Sequence, residues 1–575
     1  MTHGASRLRH SLVSLLLITI PLTSRTLAFG ADKGSATLQV TVTASDQQQK
    51  PASSSPQSAI RNPNSAIEPL PCRVQLSAND KPIYAPGCPR WERDADFCCD
   101  GKFTVEVPAA KIELLVERGP EWESHRETFE VAAATTRTVA VALSRWIDMN
   151  ARGWYGGDLH VHRPPADMPL LLRAEDLNVA PVLTRWNEKK LDAPPPYLVE
   201  IHDSGADSSR PRFFHTMNQE DERNGGAILM FNLPRPVVLK NVYRFWPTGM
   251  AFQRAALAQE VGQVANLSNG EQSHGASGQV ANPSHSLVHI EQEKPFWWEA
   301  PVNIALGKIS TMEIVHNHFQ RRGMMEDEAW GHPRDREEYA GPAGFCFYTL
   351  DLYYRYLNLG WDIPASAGSA SGVLANPVGY NRVYVQMDRF SYDGWFEALR
   401  AGRSFATNGP MLFVTVNGQP AGTHFDAKAG QPFEAVVRLE ALSREPLDSA
   451  QVVVGGKVVA TFRPADDNRK RVAAEHPLSL ARSTWIAVRV FEKFEPTVRF
   501  AHTSPFYVTI GGEKRRDPKA AQSFVQWMDD LIADTERIRE RFQTAAQLAE
   551  TLETYKQARE VYAKLAGPSP STQEK

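Results

Sequence analysis

The sequence predicts a multidomain α/β plus all-β protein: a central α/β barrel flanked by two β-sandwich domains, with helices at the C-terminal end. Three observations carry this. Between Trp154 and about Asn408, short apolar runs such as Ala227 to Phe231 and Val383 to Val385 alternate with helical stretches, the pattern of strands wrapped by helices. On either side of that region, apolar residues recur with period two, as half-buried strands require. From Pro518 the apolar period becomes helical. A chain of 575 residues has room for about four domains at roughly 150 residues each.

In chain order, residues 1–30 read as an export signal. Arg7, Arg9 and His10 precede an apolar stretch from Leu12 to Leu22, then small residues surround Ala28 and Gly30, with cleavage expected between Ala28 and Asp32. The stretch is far shorter than the roughly 20 residues that span a bilayer, and it contains Ser14, Thr19 and Pro21. A periplasmic or secreted mature chain with no stable membrane span follows as the expectation. Residues 34–148 predict the first sandwich. Leu38, Val40 and Val42 alternate, as do Phe103, Val105 and Val107, and further runs lie at Ile112 to Val116 and Thr138 to Leu143, around a Gln-, Ser- and Pro-rich loop at 47–69.

Residues 150–409 predict the barrel, broken by an insertion at 259–286. There Gly262-Gln263-Val264-Ala265-Asn266 recurs as Gly278-Gln279-Val280-Ala281-Asn282, and such a polar duplication buries too little apolar surface to order itself. Its histidines, His274 and His285, are read as incidental. Residues 410–512 predict the second sandwich. Phe413 to Val416 ends in Asn417-Gly418, and Val452 to Val454 meets Lys457 to Val459 across Gly455-Gly456, a hairpin signal. Residues 518–566 predict one or two amphipathic helices, with Phe524, Trp527, Met528, Leu531, Tyr555 and Tyr562 on a stripe that reads as a packing face before a dimer contact.

Composition narrows the partners. With 42% apolar and 22% charged residues and a net charge of −3, the chain has no field to recruit nucleic acid; a small molecule or carbohydrate remains the expected ligand. Cys72, Cys88, Cys98 and Cys99 crowd the first sandwich while Cys346 stands alone, so at least one disulfide is expected in an oxidising compartment.

The chemistry concentrates at Gly157-Asp158-Leu159-His160-Val161-His162. Side chains alternate along a strand, so His160 and His162 point the same way and both imidazoles can reach one cation. Asp158 is placed to orient an adjacent ligand or to cap the strand end. A second pair, His316-Asn317-His318, repeats the spacing with Glu313 close by. It predicts either a relocated metal centre shared with His160 and His162 or two histidines hydrogen-bonded in a polar interior. The acidic runs Glu326-Asp327-Glu328 and Asp335-Arg336-Glu337-Glu338 read as a solvated face, and Trp297-Trp298 with Glu299 as core or a sugar-stacking surface. Neither a Gly-rich phosphate loop nor a Gly-x-Ser-x-Gly elbow occurs.

Gly153 to His162 resembles the opening motif of the PHP (polymerase and histidinol phosphatase) superfamily, particularly its secreted carbaryl-hydrolase-like CehA/McbA branch. Gly368-Ser369-Ala370-Ser371-Gly372 and the turn Arg403-Ser404-Phe405-Ala406-Thr407-Asn408-Gly409-Pro410 resemble later landmarks of that branch. The resemblance spans about Trp154 to Pro410. It implies a PHP-like distorted (β/α)7 barrel carrying two or three metals and hydrolysing phosphate esters or related bonds. Ligand by ligand it thins. Thr184-Arg185-Trp186-Asn187 stands where the family has Thr-Asp-His-Asn, Lys294-Pro295 stands for His-Pro, and Ala370 and Gly372 replace the closing Asp and His. His160, His162 and Glu222 survive as the implied ligands. These losses predict a weakly held or absent divalent metal, zinc- or manganese-like, because each missing ligand lowers affinity.

Two functions therefore compete, with adhesion through the sandwiches as a third. One is an exported PHP-like hydrolase homologue, active or a pseudoenzyme. The other is a non-catalytic binding protein in which Arg185 and Lys294 hold an anion or sugar acid at the barrel mouth.

Overall fold

The computed structural model describes residues 34–45, 68–202, 210–268, 287–492, 494 and 496–567. The expected export signal and nearly all of the 47–69 loop lie outside them. The chain is a multidomain α/β protein in which strands outnumber helices.

Two small sheets form the N-terminal part. In one, Ser35–Ala44 lies between Lys102–Pro108, antiparallel, and Thr136–Leu143, parallel. In the other, Cys72–Ala78 pairs with Lys81–Ile83, Asp96–Cys99 and Lys111–Glu117, the last of which pairs with His125–Glu130. Alternation explains the packing: Phe103, Val105 and Val107 are buried while the residues between them are exposed. They join Leu38, Val40, Val74, Leu76 and Val116 in one apolar core. The expected disulfide is absent here, as all five cysteines are free thiols. Cys72 and Cys99 come closest, as direct cross-strand neighbours with sulfurs 3.7 Å apart.

The central sheet closes on itself. Trp154–Gly157 pairs parallel with Val179–Trp186, which pairs parallel with Arg212–Arg223. The chain then turns back through Asn224-Gly225 into Gly226–Phe231, antiparallel, which pairs antiparallel with His289–Gln292. Thr311–Val315 and Ala365–Ala367 follow in parallel, and Arg382–Gln386 returns antiparallel to Trp154–Gly157. Parallel neighbours need a crossover; helices Met168–Ala174, Ala300–Leu306 and Gly341–Asn358 supply three, while Val179–Trp186 and Arg212–Arg223 have the short strands Lys189–Lys190 and Leu198–Ile201 between them. The closed sheet is thus mixed, because a hairpin replaces a β/α unit between Arg212 and Phe231.

The insertion expected at 259–286 begins as ordered structure. Gly249–Ser268 is one helix and takes in the first copy of the duplicated pentapeptide; Ala, Gln and Leu there favour the continuing helix over a loop. The second copy, His274 and His285 lie outside the described residues.

Sheet pairing also crosses the expected boundary at 410. Ser404–Thr407 bonds both to Arg382–Gln386 and to Phe500–Thr503. Beyond it, Met411–Val416, Phe433–Leu442 and Arg471–Leu480 form one sheet. Ser449–Val454, Lys457–Phe462, Thr484–Phe491 and Phe506–Ile510 belong to the facing layer, around Val437, Val452 and Val488. At the hairpin, Gly455 and Gly456 adopt φ of 55° and 87°, the left-handed conformations a tight turn requires. The terminal helices Pro518–Arg537 and Ala545–Ala566 spend their apolar stripe on the central domain. Phe524 stacks on Tyr356 at 4.5 Å, and the Tyr562 hydroxyl donates to the Pro301 carbonyl at 2.8 Å. No helix among the described residues is long and apolar enough to cross a membrane.

Candidate metal centre

His160 and His162 follow the Trp154–Gly157 strand, with Val161 bridged to Val182 on one side and Ser371 on the other. Val161 points into an apolar cluster with Leu171, Leu172 and Val182, so alternation turns both imidazoles to the opposite face. Asp158 fixes this segment through backbone. Its Oδ1 accepts from the His160 and Ser369 amides, each at 3.0 Å, and its Oδ2 from the Gly379 amide at 2.6 Å. It clamps three chain segments and caps the strand end.

Two groups of side chains around His160 could hold a metal ion: His160, His162 and Glu220, and His160, Glu293 and Glu313. In the first, Glu220 Oε2 lies 2.9 Å from His162 Nε2 and 3.6 Å from His160 Nε2. In the second, His160 Nδ1 lies 3.3 Å from Glu313 Oε1 and 3.8 Å from Glu293 Oε1. These contacts are close, yet His160 Nδ1, His162 Nε2, Glu220 Oε2 and both Glu313 oxygens are buried with no hydrogen-bond partner. Buried polar atoms are normally paired. Burial opposes charge on His160, but Glu313 and Glu220 outweigh it and raise its pKa well above the ordinary value; the same atoms lie close enough together to hold a metal ion. Metal–ligand lengths of about 2.0–2.2 Å imply ligand–ligand spacings of about 3.3 Å around a tetrahedral ion, and the first group brackets that value.

Packing makes the close approach obligatory. A β-carbon at Gly368 would lie 1.9 Å from Glu313 Oε1 and 2.3 Å from the His160 β-carbon. Beneath, the Ser366 hydroxyl donates to Glu291, one more buried acid. Burial pushes the Glu313 carboxyl up to about 7 against the pull of His160, and burial with Glu313 beside it raises Glu291 well above the carboxylate range. Burial also acts on Glu220, but the two imidazoles outweigh it and hold that carboxyl well below its usual range.

The expected ligands are distributed differently. Glu222 sits on the same strand as Glu220, two residues on, at the rim: Trp186 Nε1 donates to its Oε2 and Trp330 Nε1 to its Oε1, both at 3.1 Å. Burial, then Glu220 and Glu293, raise it to about 7. Trp186, whose ring lies 5.1 Å from that of His162, takes the position by the mouth; its neighbour Arg185, read as an anion-binding candidate, is half-buried, its backbone paired with Lys190. Lys294, the other such candidate, is 2% exposed and its ammonium pairs with Glu293, so its charge is already spent.

His316 and His318 join neither group. The His316 ring packs among Phe319, Phe296 and Phe345 at 4.7, 5.4 and 5.8 Å, with Nε2 3.3 Å from Thr349 Oγ1. The His318 ring stacks on Phe345 at 5.9 Å, with Nδ1 3.1 Å from the Asp327 carbonyl. They are hydrogen-bonded core histidines, and among the described residues they belong to no group of side chains placed to hold a metal.

Glu220, Glu293 and Glu291 are not among the candidates the sequence offers, and Glu313 has only a supporting place there. One signal was available: in Thr311–Val315 every residue is buried and Glu313 is the sole charge, and a lone acid inside an apolar strand is rarely there for packing. No family model matches the sequence, and no curated protein matches it.

Proposed function

We propose that this protein is a metal-dependent hydrolase of PHP type, acting on a phosphoester, ester or related bond, with one divalent ion held by His160, His162 and Glu220. The observation that carries the reading is the meeting of His160 Nε2, His162 Nε2 and Glu220 Oε2 at one point, with His162 Nε2 and Glu220 Oε2 buried and without a hydrogen-bond partner. Two histidines and a carboxylate with one position left open is the composition of a hydrolytic zinc site. The location agrees with a barrel enzyme: His160, Glu293 and Gly368 each follow the C-terminal end of a central strand, where such sites sit.

When bound, a divalent ion there supplies a water whose pKa falls from 15.7 towards roughly 7. The chain's own residues do the rest. Glu313 beside His160 Nδ1 favours the tautomer that leaves Nε2 free to ligate. Trp186 and Trp330 fix Glu222 at the entrance, and Trp330, 42% exposed, gives the mouth an aromatic wall for substrate. The anion-pocket alternative is weakened by the pairing of Lys294 with Glu293. Export to the periplasm or beyond belongs to the proposal and rests on the basic, apolar and small-residue order of residues 1–30.

The test is metal per chain after equilibration with zinc or manganese, alongside hydrolysis of a chromogenic phosphoester. Wild type should hold about one ion and lose hydrolysis with a chelator. His162→Ala and Glu220→Gln should each lower affinity by more than the roughly 10–100-fold typical of residues that only orient a ligand. Wild type without metal, or wild-type uptake in both variants, overturns the reading.

A further inference from the structure

The second group around His160 is already partly filled by the chain itself. Glu293 is saturated: its Oε1 faces the Lys294 ammonium and accepts from Asn317 Nδ2 at 3.0 Å, and its Oε2 accepts from Trp297 Nε1 at 2.7 Å. Lys294 is enclosed, its Nζ 4.4 Å from the centre of the Trp297 ring as well as on Glu293. Burying an ammonium costs several kcal/mol and is tolerated only against a matching negative charge. Here the match is the Glu293 carboxylate, with the buried Glu313 close enough to feel the ammonium. His160 sets a further limit. An imidazole that ligates an ion through Nε2 keeps its one proton on Nδ1, so with Nε2 given to the first ion His160 Nδ1, facing Glu313, is not a ligand for a second.

We infer that Lys294 is a built-in cation standing in the second cation position, so that the site takes a single metal ion where Glu293 and Glu313 could otherwise help to hold a second. This rests on the metal reading of His160, His162 and Glu220. The ammonium neutralises Glu293, removes it from the ligand pool and supplies the fixed positive charge that a second ion would have brought. Uptake of a second ion then depends on what stands at position 294. Arginine keeps the charge. Histidine exchanges the charge for a lone pair, and methionine removes the charge at similar length.

The experiment counts zinc per chain, by plasma mass spectrometry after equilibration and dialysis, in full-length wild type, Lys294→Arg, Lys294→His and Lys294→Met, with circular dichroism to confirm folding. The expected result is about one ion in wild type and Lys294→Arg and about two in Lys294→His; Lys294→Met, binding its second ion more weakly, decides the matter if the histidine variant does not fold. Two ions in wild type would overturn the inference and leave the hydrolase reading standing. One ion in every folded variant would overturn it in the same way. No ion in any of them would remove the metal reading beneath it.

Discussion

His160-Val161-His162 and His316-Asn317-His318 have the same spacing and nearly the same burial, and they do opposite things. The first pair projects between strands that bring Glu220 on one side and Glu313 on the other. The second projects into phenylalanines, with one nitrogen of His316 on a threonine and one of His318 on a carbonyl. A histidine pair is therefore half of a site. The other half comes from acids on strands distant in sequence, and where those are replaced by aromatic rings the same pair becomes packing.

The largest expected effect breaks the comparison if it fails. His318→Ala deletes a ring enclosed by Phe296 and Phe345, and a large-to-small change in such a place costs about 2–4 kcal/mol of stability. Denaturant unfolding should register that loss while zinc per chain stays at the wild-type value. Loss of metal from His318→Ala would mean that the two pairs share one centre after all.

How much of this was legible follows from which features are local. Period-two alternation placed Phe103 to Val107 and the Gly455-Gly456 hairpin, since burial of every second residue is written in neighbouring positions. The orientation of His160 and His162 was legible for the same reason. Glu220 in place of Glu222 was not: both face one way on their strand, and only the register of Trp186 against Glu220 decides which acid lies beneath the histidines and which meets the indoles. The replacement of ligand-type residues at Arg185, Trp186, Ala370 and Gly372 was legible, but positions matched along the chain say nothing of acids arriving from Glu291, Glu293 and Glu313. The loop that carries Ala370 and Gly372 contributes through Gly368, whose missing side chain is what lets Glu313 reach His160.

A smaller effect sharpens the metal half of the comparison. Glu313 touches His160 Nδ1, so Glu313→Gln keeps the shape and removes the negative charge that sets the tautomer. Affinity for zinc should fall by about 10–100-fold, the range for residues that orient a metal ligand, and the number of ions at saturation should not change. An unchanged affinity, measured by competition with a chromogenic chelator, would separate Glu313 from the centre.

The smallest effect tests the packing half through pH. His316 is held neutral by its contacts: its Nδ1 accepts from the His318 amide at 3.3 Å, and the Thr349 hydroxyl, already donating to the Phe345 carbonyl at 3.1 Å, leaves Nε2–H as the donor to Thr349 Oγ1. Protonating Nδ1 would turn that acceptor into a donor facing a donor. Burial, with His318 and Lys294 nearby, accordingly pushes the His316 pKa well below its ordinary value. The unfolded chain titrates near 6.5, so below that pH it binds a proton that the folded chain refuses. The stability contributed by neutral His316 is therefore complete above about pH 6.5 and is lost as pH falls, at up to roughly 1.4 kcal/mol per pH unit. His316→Asn keeps an acceptor near Nδ1 and cannot titrate. Between about pH 7 and about pH 5.5, wild type should lose roughly 1.4 kcal/mol more than this variant in denaturant unfolding, every other group being common to both. Equal losses would mean that His316 is protonated in the folded protein, and the aromatic pocket would then have to be holding a charge.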